Sequence, residues 1–312
     1  MKFGPACARL AAACAFSMLA ASAVESRTYS LWDHGNLVAC VVNHFDSKAR
    51  GPEETAQMFN SLGITKLAYN WREPDVANFD AQIDAMQKHG IEIQAWVLYG
   101  SGNAHTQLIL DTFKRHNIHP PLWIEETGQG REAADVQTTP EQQQQRINDE
   151  ADKIAPLAKL AAPYGVKIVL YNHNGWLGME DNQLAVIARL KERGVKDVGM
   201  VYNFTHARDK LHDDSKVFAT LWPKMKAHVV EVNITGLAMD GTVLYPSQGD
   251  GELDMLRIIQ KSGWRGPIGI TAEKGGDAQI NLRNYILGVD WLAAELKHPG
   301  SAGPLPAFAS AK

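Results

Sequence analysis

The residues best suited to chemistry stand at the ends of apolar runs. Leu170–Trp176 reads LYNHNGW and follows the run Val166-Lys167-Ile168-Val169, so Asn172 and His173 fall where a buried strand meets a loop. Three later runs end alike: Val198–Tyr202 delivers Asn203, Val229–Val232 delivers Asn233, and Ile268–Ala272 delivers Glu273. His206 lies just beyond Asn203, and earlier runs end at Asn43-His44, Asn70-Trp71, Trp96 with Tyr99, and Glu125-Glu126. An amide both donates and accepts hydrogen bonds. Imidazoles and carboxylates move protons, and Trp offers an apolar face to a sugar ring. One Asn at a strand end is commonly a turn residue. Asn43, Asn70, Asn172, Asn203 and Asn233 at successive ends describe the rim of a pocket for a polyhydroxylated ligand. Trp176 is read as a wall of that pocket, and Glu126 and Asn70 as further contacts to the ligand.

Positioning these tips requires strands that end on the same side. Gly63, Gly90, Gly165, Gly194 and Gly263 each close a helical pattern and open an apolar run, and Asn117 takes the same place. Gly and Asn are the residues that end helices in the left-handed conformation. Gly63, Gly90 and Asn117 are spaced by 27 residues, the length of one strand, one helix and two short loops. Repetition of that unit predicts parallel strands covered by helices. Strands are predicted at Leu37–Asn43, Ile64–Asn70, Ile91–Leu98, Pro121–Glu126, Val166–Asn172, Asp197–Asn203, His228–Asn233 and Pro267–Glu273. Their near-continuous apolar character is that of strands buried on both faces. Thr139-Pro140-Glu141 starts the longest helix, over 140–163. The expected fold is α/β, a single (β/α)8 TIM barrel, with its active site at the C-terminal strand ends. A doubly wound sheet is the alternative, because a strand count does not prove closure.

The chain has 312 residues, 45% hydrophobic and 21% charged, which is a globular and not a disordered composition. Residues 1–23 read as a cleavable signal peptide: Lys2 and Arg9 flank an Ala-rich apolar run, and Ala21-Ser22-Ala23 fits a cleavage site. The expected location is therefore periplasmic or secreted. The barrel would occupy 24–297. The Pro-, Gly- and Ser-rich stretch 298–312 would be a flexible tail, and Thr127–Thr138 a long polar loop on the catalytic face. Removing Lys2 and Arg9 takes the net charge from −4 to −6. An acidic chain has no footprint for phosphate backbones, so nucleic acid is not an expected partner. No segment is long and apolar enough to span a membrane. Cys40 is the one cysteine left after cleavage and lies in an apolar run, as a buried structural thiol would. The sequence does not specify the oligomeric state.

Four segments carry a family resemblance. LYNHNGW resembles the strand-five signature of the xylose isomerase-like sugar phosphate isomerase/epimerase family, within the superfamily of AP endonuclease family 2. GMVYNFTHARD resembles its strand-six end. VNITGLAMDGTVLYPSQGDGELDML resembles strand seven with the following loop and helix, and SGWRGPIGITAEKGG resembles strand eight. The match covers residues 166–275 best, and the strand count extends it to about 37–296. The resemblance implies one divalent metal (Mn, Mg or Zn) held by Glu, Asp, His and Glu on strands five to eight, and proton transfer next to a carbonyl. This chain departs from that set. Asn172 or His173 stands at the strand-five position, Asn203 replaces the Asp, Asn233 replaces the His, and Glu273 is kept. His206 matches a position that touches substrate. Neutral amides are poor ligands for transition metals. A looser site would use His173, His206 and Glu273.

The expected function is an exported sugar isomerase, epimerase or lyase acting on a small carbohydrate, with Glu273, His173 and His206 as catalytic groups. Glu273 could instead pair with Lys274 or Arg265. Two other functions compete. One is a non-catalytic carbohydrate-binding barrel with a degenerate metal site. The other is a retaining glycoside hydrolase using Glu126 (or Glu125) and Glu231, which needs two carboxyls roughly 5–5.5 Å apart. A DNA endonuclease on this barrel would need a His and acidic metal cluster and a basic face, and the sequence has neither.

Overall fold

Every predicted strand forms; seven are shortened, and the third is displaced by one residue, to end at Tyr99. They are β1 (Leu37–Cys40), β2 (Lys66–Tyr69), β3 (Glu92–Tyr99), β4 (Leu122–Glu125), β5 (Ile168–Tyr171), β6 (Gly199–Asn203), β7 (Val229–Asn233) and β10 (Ile268–Thr271). The computed structural model describes Met1 and residues 30–126, 138–211, 215–238, 240 and 242–312. The signal-peptide reading of 1–23, apart from Met1, and the loop reading over 127–137 lie outside the described residues. The eight strands are parallel and closed, in the order β1-β10-β7-β6-β5-β4-β3-β2. Closure excludes the doubly wound alternative. It also directs every strand's C-terminal end to one mouth.

Alternation along each strand divides the core in two. Val38, Cys40, Ala68, Ala95, Val97, Trp123, Val169, Tyr171 and Val201 fill the barrel interior. Leu37, Ala39, Leu67, Trp96, Leu122, Leu170 and Met200 pack outward against helices. Those helices are α1 (Pro52–Ser61), α2 (Phe79–Lys88), α3 (Thr106–His116), α4 (Pro140–Ala161), α5 (Glu180–Glu192), α6 (Phe204–Leu211), α7 (Ser215–Met225), α8 (Glu252–Lys261) and α9 (Ala278–Lys297). The predicted turn residues all take positive φ, from +52° at Asn117 to +80° at Gly194. At the start of α4, Gln142 N donates to Thr139 Oγ1 (3.2 Å), and Thr139 N donates to Gln142 Oε1 (2.8 Å). This reciprocal cap stabilises the first turn of the longest helix.

Between β7 and α8 the chain forms a hairpin that the sequence did not announce, β8 (Gly236–Leu237) paired antiparallel with β9 (Val243–Leu244). The C-terminal tail differs from expectation as well. It has no regular secondary structure, yet it is tied down along its length. Trp291 Nε1 donates to Gly303 O, Asn284 exchanges two hydrogen bonds with Ala309, and Asp277 N donates to Ala311 O at 2.8 Å. Phe308 lies on Tyr245, with ring centroids 4.9 Å apart. One aromatic ring and a few backbone bonds are enough to fix a chain of small residues. Phe308→Ala is expected to cost about 1–2 kcal/mol. Thermal denaturation would show a lower melting temperature; an unchanged one would mean the tail contributes nothing to the fold.

Candidate active site

A cavity of about 280 Å3 opens at the barrel mouth. Asn70 and Arg72 line it after β2, Tyr99 from β3, Glu125 from β4, Tyr171 and His173 from β5, His206 from α6, and Glu273 after β10. Three expected groups, His173, His206 and Glu273, are thus brought to one hollow, together with Asn70.

The two imidazoles face each other, with ring centroids 4.1 Å apart at 50°. His173 Nδ1 lies 3.5 Å from Glu125 Oε1. His206 meets Tyr171 edge-on, with centroids 5.5 Å apart. The Tyr171 oxygen accepts a hydrogen bond from Asn203 Nδ2 at 2.7 Å. Burial, and then the negative charge of Glu273, push the Tyr171 phenol well above its usual range. It is therefore a neutral O–H at ordinary pH. Burial also raises the Tyr99 phenol, to about 12. Glu273 pairs with neither basic neighbour: Lys274 Nζ donates to Val243 O at 2.7 Å, and Arg265 Nη1 donates to Trp264 O.

The amides have a different placement from the one expected. Asn172 is the residue between the inward-facing Tyr171 and His173, and it is fully buried. Its Oδ1 accepts from Asn203 N (2.8 Å), and its Nδ2 donates to Asn203 O (3.2 Å). Asn203 Oδ1 accepts from Thr205 N at 2.9 Å, at the start of the helix that carries His206. These two side chains clip β5 to β6 and set Tyr171 and His206; neither lines the cavity. Asn172→Ala leaves both backbone groups of Asn203 without their partner in a buried site. It is expected to cost about 1–3 kcal/mol, read as a shift in the denaturant midpoint. No shift would mean the clip is unnecessary.

Asn233 lies below the mouth. Cys40 Sγ is 3.7 Å from Asn233 Oδ1 and 3.4 Å from Glu231 Oε1, all three groups being buried. The space for Asn233 depends on Gly269, where an added Cβ would fall 1.9 Å from Asn233 Oδ1. Burial raises the Cys40 thiol well above its normal range, so it is the inert buried thiol expected. Burial raises the Glu231 carboxyl to about 8.

Glu126 and Trp176 stand away from the mouth. Glu126 Oε1 accepts from Ser101 N at 3.0 Å, and the residue lines a separate cavity with Thr106 and Lys153. The Glu126–Glu231 pair is therefore not assembled, since Glu126 faces helices and Glu231 faces the barrel core. Glu125, its neighbour of opposite parity, is the strand-four carboxylate at the mouth. Trp176 donates from Nε1 to Gln143 Oε1 (2.9 Å), packs in the outer core and has the Arg146 guanidinium 5.0 Å from its ring. The sequence reading also missed Arg72 and Tyr171. Inward parity with His173 would have found Tyr171. Arg72 directly follows the strand-two pair Asn70-Trp71, where that reading stopped.

The metal ligand group expected from His173, His206 and Glu273 is not formed. Among the described residues, no three or more His, Cys, Asp or Glu side chains are grouped to hold a metal ion. The chemistry agrees with this: two of the family's four ligand positions are amides. Asn203 is committed through both side-chain atoms, and Asn233 is packed against Gly269. No helix among the described residues is long and apolar enough to cross a membrane.

No protein-family profile matches the sequence, and no curated protein matches it. Solved structures do. A xylose isomerase domain-containing protein from Salmonella typhimurium LT2 aligns with TM-score 0.61 at 12% identity, over 84% of this chain and 98% of that one. An IolI protein with a bound zinc atom aligns with TM-score 0.60 at 14% identity, over 83% and 97%. L-ribulose 3-epimerase aligns with TM-score 0.60 at 12% identity, over 86% and 99%. At such identities the likeness establishes the fold and leaves the chemistry to be argued from the site.

Proposed function

We propose that this chain, a barrel of the xylose isomerase-like fold, is an enzyme that transfers a proton next to the carbonyl of a small carbohydrate. The reaction would be that of an isomerase, epimerase or lyase. The observation that carries this reading is the convergence of Glu273, His173, His206, Glu125 and Tyr171 on one monosaccharide-sized hollow. Sugar-epimerising barrels among the structural neighbours support it.

Glu273 takes the proton from the carbon beside the carbonyl. The electron pair moves to the carbonyl oxygen, which becomes an enolate oxygen. Such charge is stabilised by donors fixed in place beforehand. Tyr171, held neutral and fixed by Asn203, supplies an O–H there. The His173–Glu125 pair, or His206 against it, returns a proton to the oxygen or to the carbon. Return to the opposite face of the same carbon gives an epimer; return to the former carbonyl carbon, whose oxygen keeps its proton while the hydroxyl of the adjacent carbon gives up its own to become the new carbonyl, gives an isomer. Each step uses groups of this chain alone. Structural neighbours carry zinc or magnesium, but the donors here do not reproduce the family's ligand set, and no step is routed through an ion.

Incubation of the wild type in D2O with a series of keto sugars tests the proposal. Deuterium incorporation at the carbon beside the carbonyl is the expected result. A sugar that binds in the mouth without exchange would establish the non-catalytic binding barrel instead. We also propose export, from the leader-like residues 1–23. Sequencing the mature N-terminus tests this: a start near residue 24 supports it, and an intact Met1-Lys2 rejects it.

A further inference from the structure

Arg72 is the only lysine or arginine among the described residues lining the mouth. Its guanidinium is held from one side. Nη1 donates to Trp71 O at 3.0 Å and to the Tyr99 hydroxyl, and the group lies 4.9 Å from the Tyr99 ring centroid. Among the described residues, no carboxylate lies within ion-pair distance of it. Glu73, the next residue, is engaged by His105 Nε2 at 3.0 Å, and Asp75 Oδ2 accepts from the Arg72 backbone N–H at 2.7 Å. The neighbouring His44 is driven by burial, and then by the Arg72 charge, down to about 4, so it is neutral at pH 7 and does not compete. Of the two mouth carboxylates, Glu125 is the register partner of Tyr99 across the β3–β4 pair. Glu125 is beside His173, and Glu273 is beyond β10. The mouth therefore carries its described guanidinium on the β2–β3 side, with the imidazoles on the β5–β6 side and Glu273 after β10. A guanidinium fixed on one edge presents its remaining N–H groups as a planar fork, the geometry that matches a carboxylate.

We propose that Arg72 is a binding residue for the carboxylate of a sugar acid, and that the substrate of this barrel is a carbohydrate bearing one carboxylate group. This rests on the reading of the mouth as a carbohydrate site and names its substrate class. A phosphate would offer similar oxygens, but it brings a second negative charge to a hollow lined by Glu125 and Glu273, where Arg72 is the one lysine or arginine among the described residues. A singly charged carboxylate meets one guanidinium. Its distance from the acid–base groups would orient the sugar, with the anionic end at Arg72 and the reacting carbon between Glu273 and the imidazoles.

Calorimetric titration with a hexuronate, the matching neutral hexose and the matching hexose phosphate tests the assignment. The hexuronate is expected to bind at least about tenfold tighter than the hexose, from a charged hydrogen-bonded pair. That preference should shrink as salt rises to about 0.5 M. Arg72→Met, which keeps the stem against Tyr99, should remove the preference. Equal binding of hexuronate and hexose by the wild type would overturn the proposal. So would a preference that survives in Arg72→Met, or a hexose phosphate that binds tighter than the hexuronate. Should Arg72→Met fold poorly, Arg72→Lys tests the fork, with weaker hexuronate binding expected and unchanged binding contrary. Hexuronate binding through Arg72 without any proton exchange would sink the catalytic reading alone. Exchange into neutral keto sugars by a wild type that shows no hexuronate preference would sink this inference alone.

Discussion

Glu273→Gln is expected to slow solvent deuterium incorporation into a keto sugar by about 10²–10⁴-fold, the range for removal of a positioned general base. The amide has the shape of the carboxylate and accepts no proton. Glu273 lines the mouth just beyond β10, and its charge is felt by the Tyr171 phenol. Its neighbours Lys274 and Arg265 donate to the Val243 and Trp264 carbonyls. Sugar affinity and melting temperature should be retained, which separates lost chemistry from lost structure. Exchange at the wild-type rate would remove Glu273 from the mechanism and leave the His173–Glu125 pair as the remaining base.

Glu231→Gln should change how stability depends on pH. Glu231 is fully buried inside the barrel, where burial outweighs the Cys40 contact and the Lys66 charge and raises its carboxyl to about 8. In the unfolded chain the same group titrates near 4.5. Between these values the folded barrel keeps a proton that the unfolded chain has lost, so wild-type stability must fall as pH rises from about 4.5 to about 8. The full difference is about 5 kcal/mol. Below that window both states are protonated, and above it both are charged. Glutamine has no such titration. The variant should match the wild type near pH 5 and exceed it above pH 8, measured as denaturant midpoints across the range. Parallel pH profiles for the two proteins would show that Glu231 is ionised in the barrel at neutral pH.

The barrel was legible in the sequence because strands covered on both faces become continuous apolar runs, and because Gly63, Gly90 and Asn117 mark helix ends at regular spacing. That same continuity concealed which face each polar tip takes. An alternating strand would have shown that Tyr171 and His173 share one side and Asn172 the other. Here the three read alike. Glu125 and Glu126 were confounded for the same reason, and the residue of the wrong parity was chosen. Arg72 escaped because its role depends on Tyr99, which is distant in sequence and adjacent only once β2 and β3 pair. Trp176 reads as a pocket aromatic by composition, yet the turn after β5 carries it outward to Gln143. The tail was misjudged by composition, since its order comes from Phe308 on Tyr245 and from Asn284 on Ala309. The strand-end asparagines did signal something real: Asn172 and Asn203 hold the groups that face the cavity.

The most direct measurement is a crystal structure of the chain soaked with a keto sugar acid. The expected density lies in the barrel mouth, with the carboxylate on Arg72 and the carbon beside the carbonyl within reach of Glu273 and of His173 or His206. A sugar bound away from the mouth, or His173, His206 and Glu273 found on separate surfaces, would contradict the account.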